Sequence, residues 1–365
     1  MAWICFLWCA CVDRGTLDSQ DSATSAPVQT GRYDTHMHVR SGGTDTLLAM
    51  MDDADVDRVL LTNVPETNLA TPGNSFCESH GLGELGDDQR LLEAAWQDHP
   101  DRLGLLAGGG SLGPLIQCTD PDRSDDVIDA FRDRAQTLID TPGFAGFGEM
   151  ISLHLCMSDT HSYQVALADH PLFIELGHLA AAAGVPIDLH MEAVPEGGLD
   201  DPELLAGLND RCALNPDDVL PATIPPLLAL LEQTGATVVW QHIGWDNTGY
   251  LTPDTLRDVL TECDRDAAAR GRECNLYFAL RVPPDPAMSP LLVYERGQPT
   301  SELEAAWSSF IHDHADRIML GADEFVGNED LPASFEATWS TILPGLADEV
   351  QSQIAVDNAR RVYGL

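Results

Sequence analysis

His36 and His38, in the stretch GRYDTHMHVR, could act together as metal ligands only where the backbone is extended. On a strand, residues i and i+2 face the same side, whereas on a helix they diverge. Asp34 would share their face, with Thr35 and Met37 on the other. Imidazole and carboxylate are the donors that borderline divalent ions take. More of them recur inside short β-branched runs: Glu149 in FAGFGEM, His190 in PIDLHME, His242 in TVVWQHIG and Asp323 in RIMLGADE. Taken singly, each has a plain structural reading as a satisfied core histidine or a helix-capping acid. Taken together, they ask for an architecture that brings five segments to one place. A second His-x-His, His312 and His314, falls in the helical pattern ELEAAWSSFIHDHAD, where the two rings point apart, and is set aside.

The elements that must position these donors alternate. Strand candidates span 32–39, 58–64, 103–110, 144–150, 186–192, 237–244, 275–282 and 317–324. Between them lie amphipathic patterns such as DTLLAMMDDADV, DDVIDAFRDRAQTLID, LFIELGHLAAAAG and TPDTLRDVLTECDRDAAARG, several opening on Asp or Thr as N-caps. Strict alternation implies a parallel sheet, and eight units imply an α/β fold closed as a (β/α)8 TIM barrel. The donors all stand at the C-terminal ends of their strands, the end where such barrels carry their sites. AGGGSLG, after the third strand, is glycine-rich but lacks the spacing and helix start of a phosphate loop, and reads as a plain loop.

The 365 residues carry 59 acids and 19 bases, a formal net charge of −40, and every base is Arg. Such a field repels nucleic acid and anionic membrane and suits adaptation to salt. Without lysine, neither Schiff-base chemistry nor a P-loop is available. The first eleven residues, MAWICFLWCAC, form an apolar run too short to span a membrane as a helix, and the polar stretch that follows to residue 30 reads as a flexible tether. The two resemble a bacterial lipoprotein leader with Cys11 as the lipidated residue. That implies an exported, periplasmic or cell-surface protein tethered to the membrane; the cytoplasm of a salt-adapted organism is the competing location. Six cysteines follow, Cys77, Cys118, Cys156, Cys212, Cys263 and Cys274, which permit three disulfides or remain buried thiols, and their spacings match no zinc ribbon.

The ordered set DTHMH, GFGEM, IDLHME, WQHIGW and DRIMLGADE, closed by VDNARRVYGL, resembles the amidohydrolase superfamily, in its branch of small TIM-barrel metal-dependent hydrolases, over nearly the whole chain from residue 31. The resemblance implies that His36 and His38 hold the more buried ion. It makes His190 a ligand, His242 a ligand of a second ion or a water-orienting residue, and Asp323 the ligand or general base at the attacking water. Many binuclear members bridge their ions with a carbamylated lysine on the fourth strand. Here Glu149 occupies that position, as in TatD-type hydrolases whose bridge is a glutamate; a mononuclear site with Glu149 outside the ligand set stays open. One or two divalent ions are implied, zinc first, with Mn2+ or Fe2+ allowed by ligand type.

The expected activity is hydrolysis of an amide, ester or lactone, or phosphoester bond in a small molecule. A metal-dependent decarboxylase of the same branch is the alternative, and a non-catalytic metal-binding surface lipoprotein is the reading from another class. Arg281 and Arg40 are the bases nearest the rim in sequence and suit a carboxylate or phosphate, or a plain salt bridge. Trp245 either stacks on a ligand or packs its loop, and His154 is expected in the loop after the fourth strand, as a substrate contact or a surface residue. The segment 65–87, long for a connection of this type, reads as a pocket wall or lid.

Overall fold

Runs rich in Val, Ile and Leu become strands that are buried on both faces, which is the pattern of a parallel sheet covered by helices. The computed structural model describes residues 31–39, 43–62, 87–155, 163–206, 219–283, 289–296, 298–326 and 335–365. Arg40, Cys11 with the rest of the leader, and nearly all of the 65–87 connection lie outside the described residues. Gly31–Leu365 forms one unit.

Twelve strands are described: β1 Tyr33–Val39, β2 Arg58–Thr62, β3 Leu103–Gly108, β4 Phe144–His154, β5 Gln164–Val165, β6 Ile187–Met191, β7 Val238–Ile243, β8 Leu276–Leu280, β9 Leu292–Glu295, β10 Gln298–Leu303, β11 Ile318–Leu320 and β12 Glu324–Val326. Eight of them, in the order β1, β2, β3, β4, β6, β7, β8 and β11, pair as parallel neighbours, and β11 returns to β1 at Asp34 and Leu320, closing the ring. All eight expected strands are present, and the fold is a (β/α)8 TIM barrel. Helices Thr44–Asp53, Ile128–Ile139, Pro171–Ala183 and Pro253–Ala269 follow the expected patterns. The last is capped by Thr252, whose hydroxyl accepts from Thr255 N. The first two open on Gly43 and Val127 with no side-chain cap, so the acid-rich starts of those patterns do not cap them. Outside the barrel, Trp240, Phe278, Phe310 and Trp307 meet ring to ring between strand and helix. Truncating one such buried aromatic to Ala costs about 3–5 kcal/mol.

Four local features depart from the sequence reading. The last barrel strand is split into β11 and β12, which both pair with β1. An antiparallel hairpin, β9 with β10, stands before helix Ala305–Asp313. The glycine-rich segment turns, as expected, but helix Gly113–Cys118 follows it directly. Cys263 and Cys274 are joined in a disulfide, which ties the second half of helix Pro253–Ala269 to the segment just before β8, and Cys118 is also disulfide-bonded, so these three are not free thiols. His312 lies in helix Ala305–Asp313 and His314 caps its end against the Phe310 ring, away from the donor set. Among the described residues no helix is long and apolar enough to cross a membrane.

Candidate metal centre

Period-two alternation on β1 turns His36 and His38 inward, and the structure buries both. The His38 ring stacks on Phe325 of β12 at 4.1 Å. Alternation fails at two neighbours, and usefully. Trp240 packs outward in the core while Gln241 faces in, so His242 would face out; its φ of 65°, with a register shift against β8, brings its ring to within 4.9 Å of that of His36. Asp323 sits in the break between β11 and β12 with φ of 52°, and its N–H donates to His36 O. Left-handed backbone at a non-glycine residue is uncommon and costs energy that the surrounding packing must supply.

Glu149, buried at the inner end of the site, is the hub. One oxygen, Oε1, accepts from His190 Nδ1 at 2.7 Å and from His242 Nε2 at 2.8 Å. The other, Oε2, lies 3.6 Å from both His36 Nε2 and His38 Nε2. The Gly148–Glu149 peptide is cis. Asp323 completes the ring, with Oδ1 at 3.1 Å from His38 Nε2 and 3.8 Å from His36 Nε2, and Oδ2 at 3.4 Å from His242 Nδ1. Two donor groups have the spacing to hold an ion: His36, His38 and Asp323, and His36, Glu149 and His242. These two groups contain five of the six expected ligands, and His190 joins them through its hydrogen bond to Glu149.

Three ring nitrogens test whether a metal fits. His36 Nε2, His38 Nε2 and His242 Nδ1 are buried and make no hydrogen bond among the described residues. Leaving a polar atom unsatisfied in an interior costs about 1–3 kcal/mol, so three at one point need an explanation, and lone pairs aimed at a cation supply it. The residues present fit a divalent ion.

Protons report the same electrostatics. Burial lowers His36, but the carboxylates of Asp188 and Glu149 outweigh it and raise its pKa well above the ordinary value. Burial dominates at His242 and pushes it down to about 4. Burial would raise Asp323, yet Arg281 and the neighbouring histidines hold it well below the usual carboxylate range. The metal-free site thus keeps a proton on His36 where a cation would replace it.

The expected substrate contacts divide. Arg281 is buried, donates to Asp323 Oδ2 and lies over the Trp245 ring at 4.8 Å, so both stand at the site. Trp245 Nε1 donates to Asn247 Oδ1, and Asn247 Nδ2 to Glu192 Oε1. His154 is not in a loop: β4 runs on to it, paired with β5, and sets its ring 4.7 Å from that of His190. Sequence reasoning missed Asp188, Gln241, Glu192 and Asn247. The signal for Asp188 was present, since it stands two residues before His190 on the same inward face.

No protein-family model matches this sequence, and no curated protein matches it either. Solved structures do. A 2,6-dihydroxybenzoate decarboxylase, complexed with 2,6-dihydroxybenzoate, superposes with a TM-score of 0.50 at 15% identity, over 92% of this chain and 100% of that one. The L-hydantoinase (dihydropyrimidinase) of Arthrobacter aurescens gives 0.49 at 13% identity, over 92% and 71%, and the 4-oxalomesaconate hydratase of Rhodopseudomonas palustris 0.42 at 12%, over 88% and 80%. At such identities the likeness concerns the fold.

Proposed function

We propose that the chain is a metal-dependent hydrolase of the amidohydrolase superfamily, acting on an amide, ester or lactone, or phosphoester bond of a small molecule. The observation that carries this reading is Glu149, which turns one carboxylate oxygen toward His190 and His242 and the other toward His36 and His38. A carboxylate with one oxygen for each histidine pair suits a bridge between two sites. One or two bound ions, zinc first, would lower the pKa of a water from about 15.7 toward about 7 and polarise the scissile group.

The chain's own residues supply the rest. Asp323, held as a carboxylate by Arg281, takes the proton of the attacking water and returns it to the leaving group. His242, kept neutral by burial, orients that water through Nδ1. Arg281 and Trp245 receive an anionic or planar part of the substrate, and His154 flanks it beside His190. Decarboxylation is the second reading, supported by the guanidinium and indole stacked at the site. The leader, with lipidation at Cys11, would hold the enzyme at the cell envelope; Cys11→Ser would release it from the membrane fraction.

The test is metal stoichiometry by elemental analysis of the parent and Glu149→Gln. Two equivalents falling to one support a glutamate-bridged pair and hydrolysis. One equivalent in both removes Glu149 from the ligand set and moves decarboxylation ahead. Zero in the parent refutes the metal reading.

A further inference from the structure

Beneath the donor ring lies a carboxylate that the roles above leave unused. Asp188 on β6 is fully buried, one inward position deeper than His190. Its Oδ1 is 3.1 Å and its Oδ2 3.4 Å from His36 Nδ1, and Oδ2 accepts from Gln241 Nε2 at 2.6 Å. The Tyr363 hydroxyl, from the C-terminal helix, lies beside the same carboxylate, Thr35 and Gln241. Two glycines clear the space. A Cβ on Gly148 would come within 2.8 Å of Asp188 Cβ, and one on Gly321 within 3.0 Å of His36 Cβ and 3.3 Å of Gln241 Oε1.

A wholly buried acid is costly, and apolar residues of similar volume often serve stability better. What the acid supplies here is direction. An ionised carboxylate can only accept, so the ring proton of His36 is held at Nδ1 and the Nε2 lone pair is turned the other way. That atom is the unpartnered one, 3.6 Å from Glu149 Oε2 and 3.8 Å from Asp323 Oδ1. We infer that Asp188, itself held by Gln241, is a positioning residue that fixes the tautomer and orientation of His36, so that His36 offers Nε2 to the metal with the basicity of a carboxylate-backed imidazole. The inference rests on the metal reading above.

The variant that isolates it is Asp188→Asn, which keeps the shape. Among the described residues Gln241 Oε1 makes no hydrogen bond, so a rotated Gln241 side chain could accept from the new amide, and charge alone is lost. Zinc affinity of the full-length protein, measured by chelator competition, should weaken about 10- to 100-fold. A merely structural role would lower the melting temperature of the metal-free protein and leave zinc affinity of the folded protein unchanged. Zinc affinity within about twofold of the parent overturns the inference. Should Asp188→Asn fail to fold, nitrogen NMR of ring-labelled histidine in the zinc-loaded parent decides. A proton on Nδ1 with the metal on Nε2 of His36 supports it, and the reverse overturns it. A parent that binds no zinc fails the function proposed above and takes this inference with it; a parent that binds zinc alongside an equally tight Asp188→Asn defeats this inference alone.

Discussion

Replacing Arg281 with Met should make the stability of this protein depend on metal far more steeply than it does in the parent. The Arg281 and Asp323 side chains are 4% and 11% exposed, so their ion pair is essentially removed from water. Removing one partner of such a pair strands the other charge and costs about 3–5 kcal/mol. Methionine keeps the apolar stem but removes the guanidinium, with its ion pair to Asp323 and its cation–π contact on Trp245, so the loss is electrostatic. For a barrel of this size each kcal/mol moves the melting temperature by about 2 °C, which predicts a fall of roughly 6–10 °C in the presence of a chelator. Zinc places positive charge beside Asp323 again, so with saturating zinc the fall should shrink to under about 3 °C. Thermal denaturation of parent and variant, each with chelator and with zinc, gives the four values needed. Equal losses in both conditions, or none with chelator, would refute the claim that Asp323 needs a cation and that the metal is one.

Acidity should act through His36. Its pKa is raised by Asp188 and Glu149 in spite of burial, so a proton competes with the ion even near neutrality, and raising the pH removes the competitor. Zinc affinity measured between about pH 6 and pH 8 should tighten by up to about tenfold per unit, and a flat profile would contradict this. Asp323→Asn should retain most of its metal yet lose about 10²- to 10⁴-fold in turnover of any substrate found by screening; near-normal turnover would remove Asp323 from proton transfer. Gly148→Ala would force its new methyl against Asp188 Cβ at 2.8 Å, displacing Glu149 as the adjacent residue, and elemental analysis should show metal lost from a protein that still has barrel secondary structure. Replacing Cys263 and Cys274 with Ser, which opens a loop whose ends are 11 residues apart, should cost about 3 kcal/mol in chemical denaturation and leave metal content untouched.

The barrel strands and the donor residues were legible because both obey simple periods. A strand buried on two faces is a short apolar run, and His36 with His38 shows the spacing of one face. What escaped is whatever breaks a period. Alternation would turn His242 outward, and only its left-handed backbone brings it in; Asp323 needs a gap between two half-strands that one continuous run, 317–324, does not suggest. The sequence places His154 in a loop because it carries no signal that β4 extends to pair with β5. The disulfide at Cys263 depends on how helix Pro253–Ala269 folds back against the segment leading into β8, a tertiary fact that cysteine spacing does not carry. Asp188 differs: it lies on the same face as His190 but below the rim, deeper than the strand ends where barrel sites are expected.

The closure of the ring at β1 also sets the order in which a metal site can come into existence. Asp34 accepts from Ala322 N across 288 residues of sequence, and β1 pairs with β2 on one side and with both β11 and β12 on the other. The donors run in chain order from His36 to Asp323, so His36 and His38 wait for Asp323, the last of them to be made. Contacts of such separation form late, after the loop entropy between them has been overcome. Under the metal reading proposed above, ion capture at the full site would coincide with the final strand joining the first, and the metal would be a seal on a completed barrel rather than a template for building it.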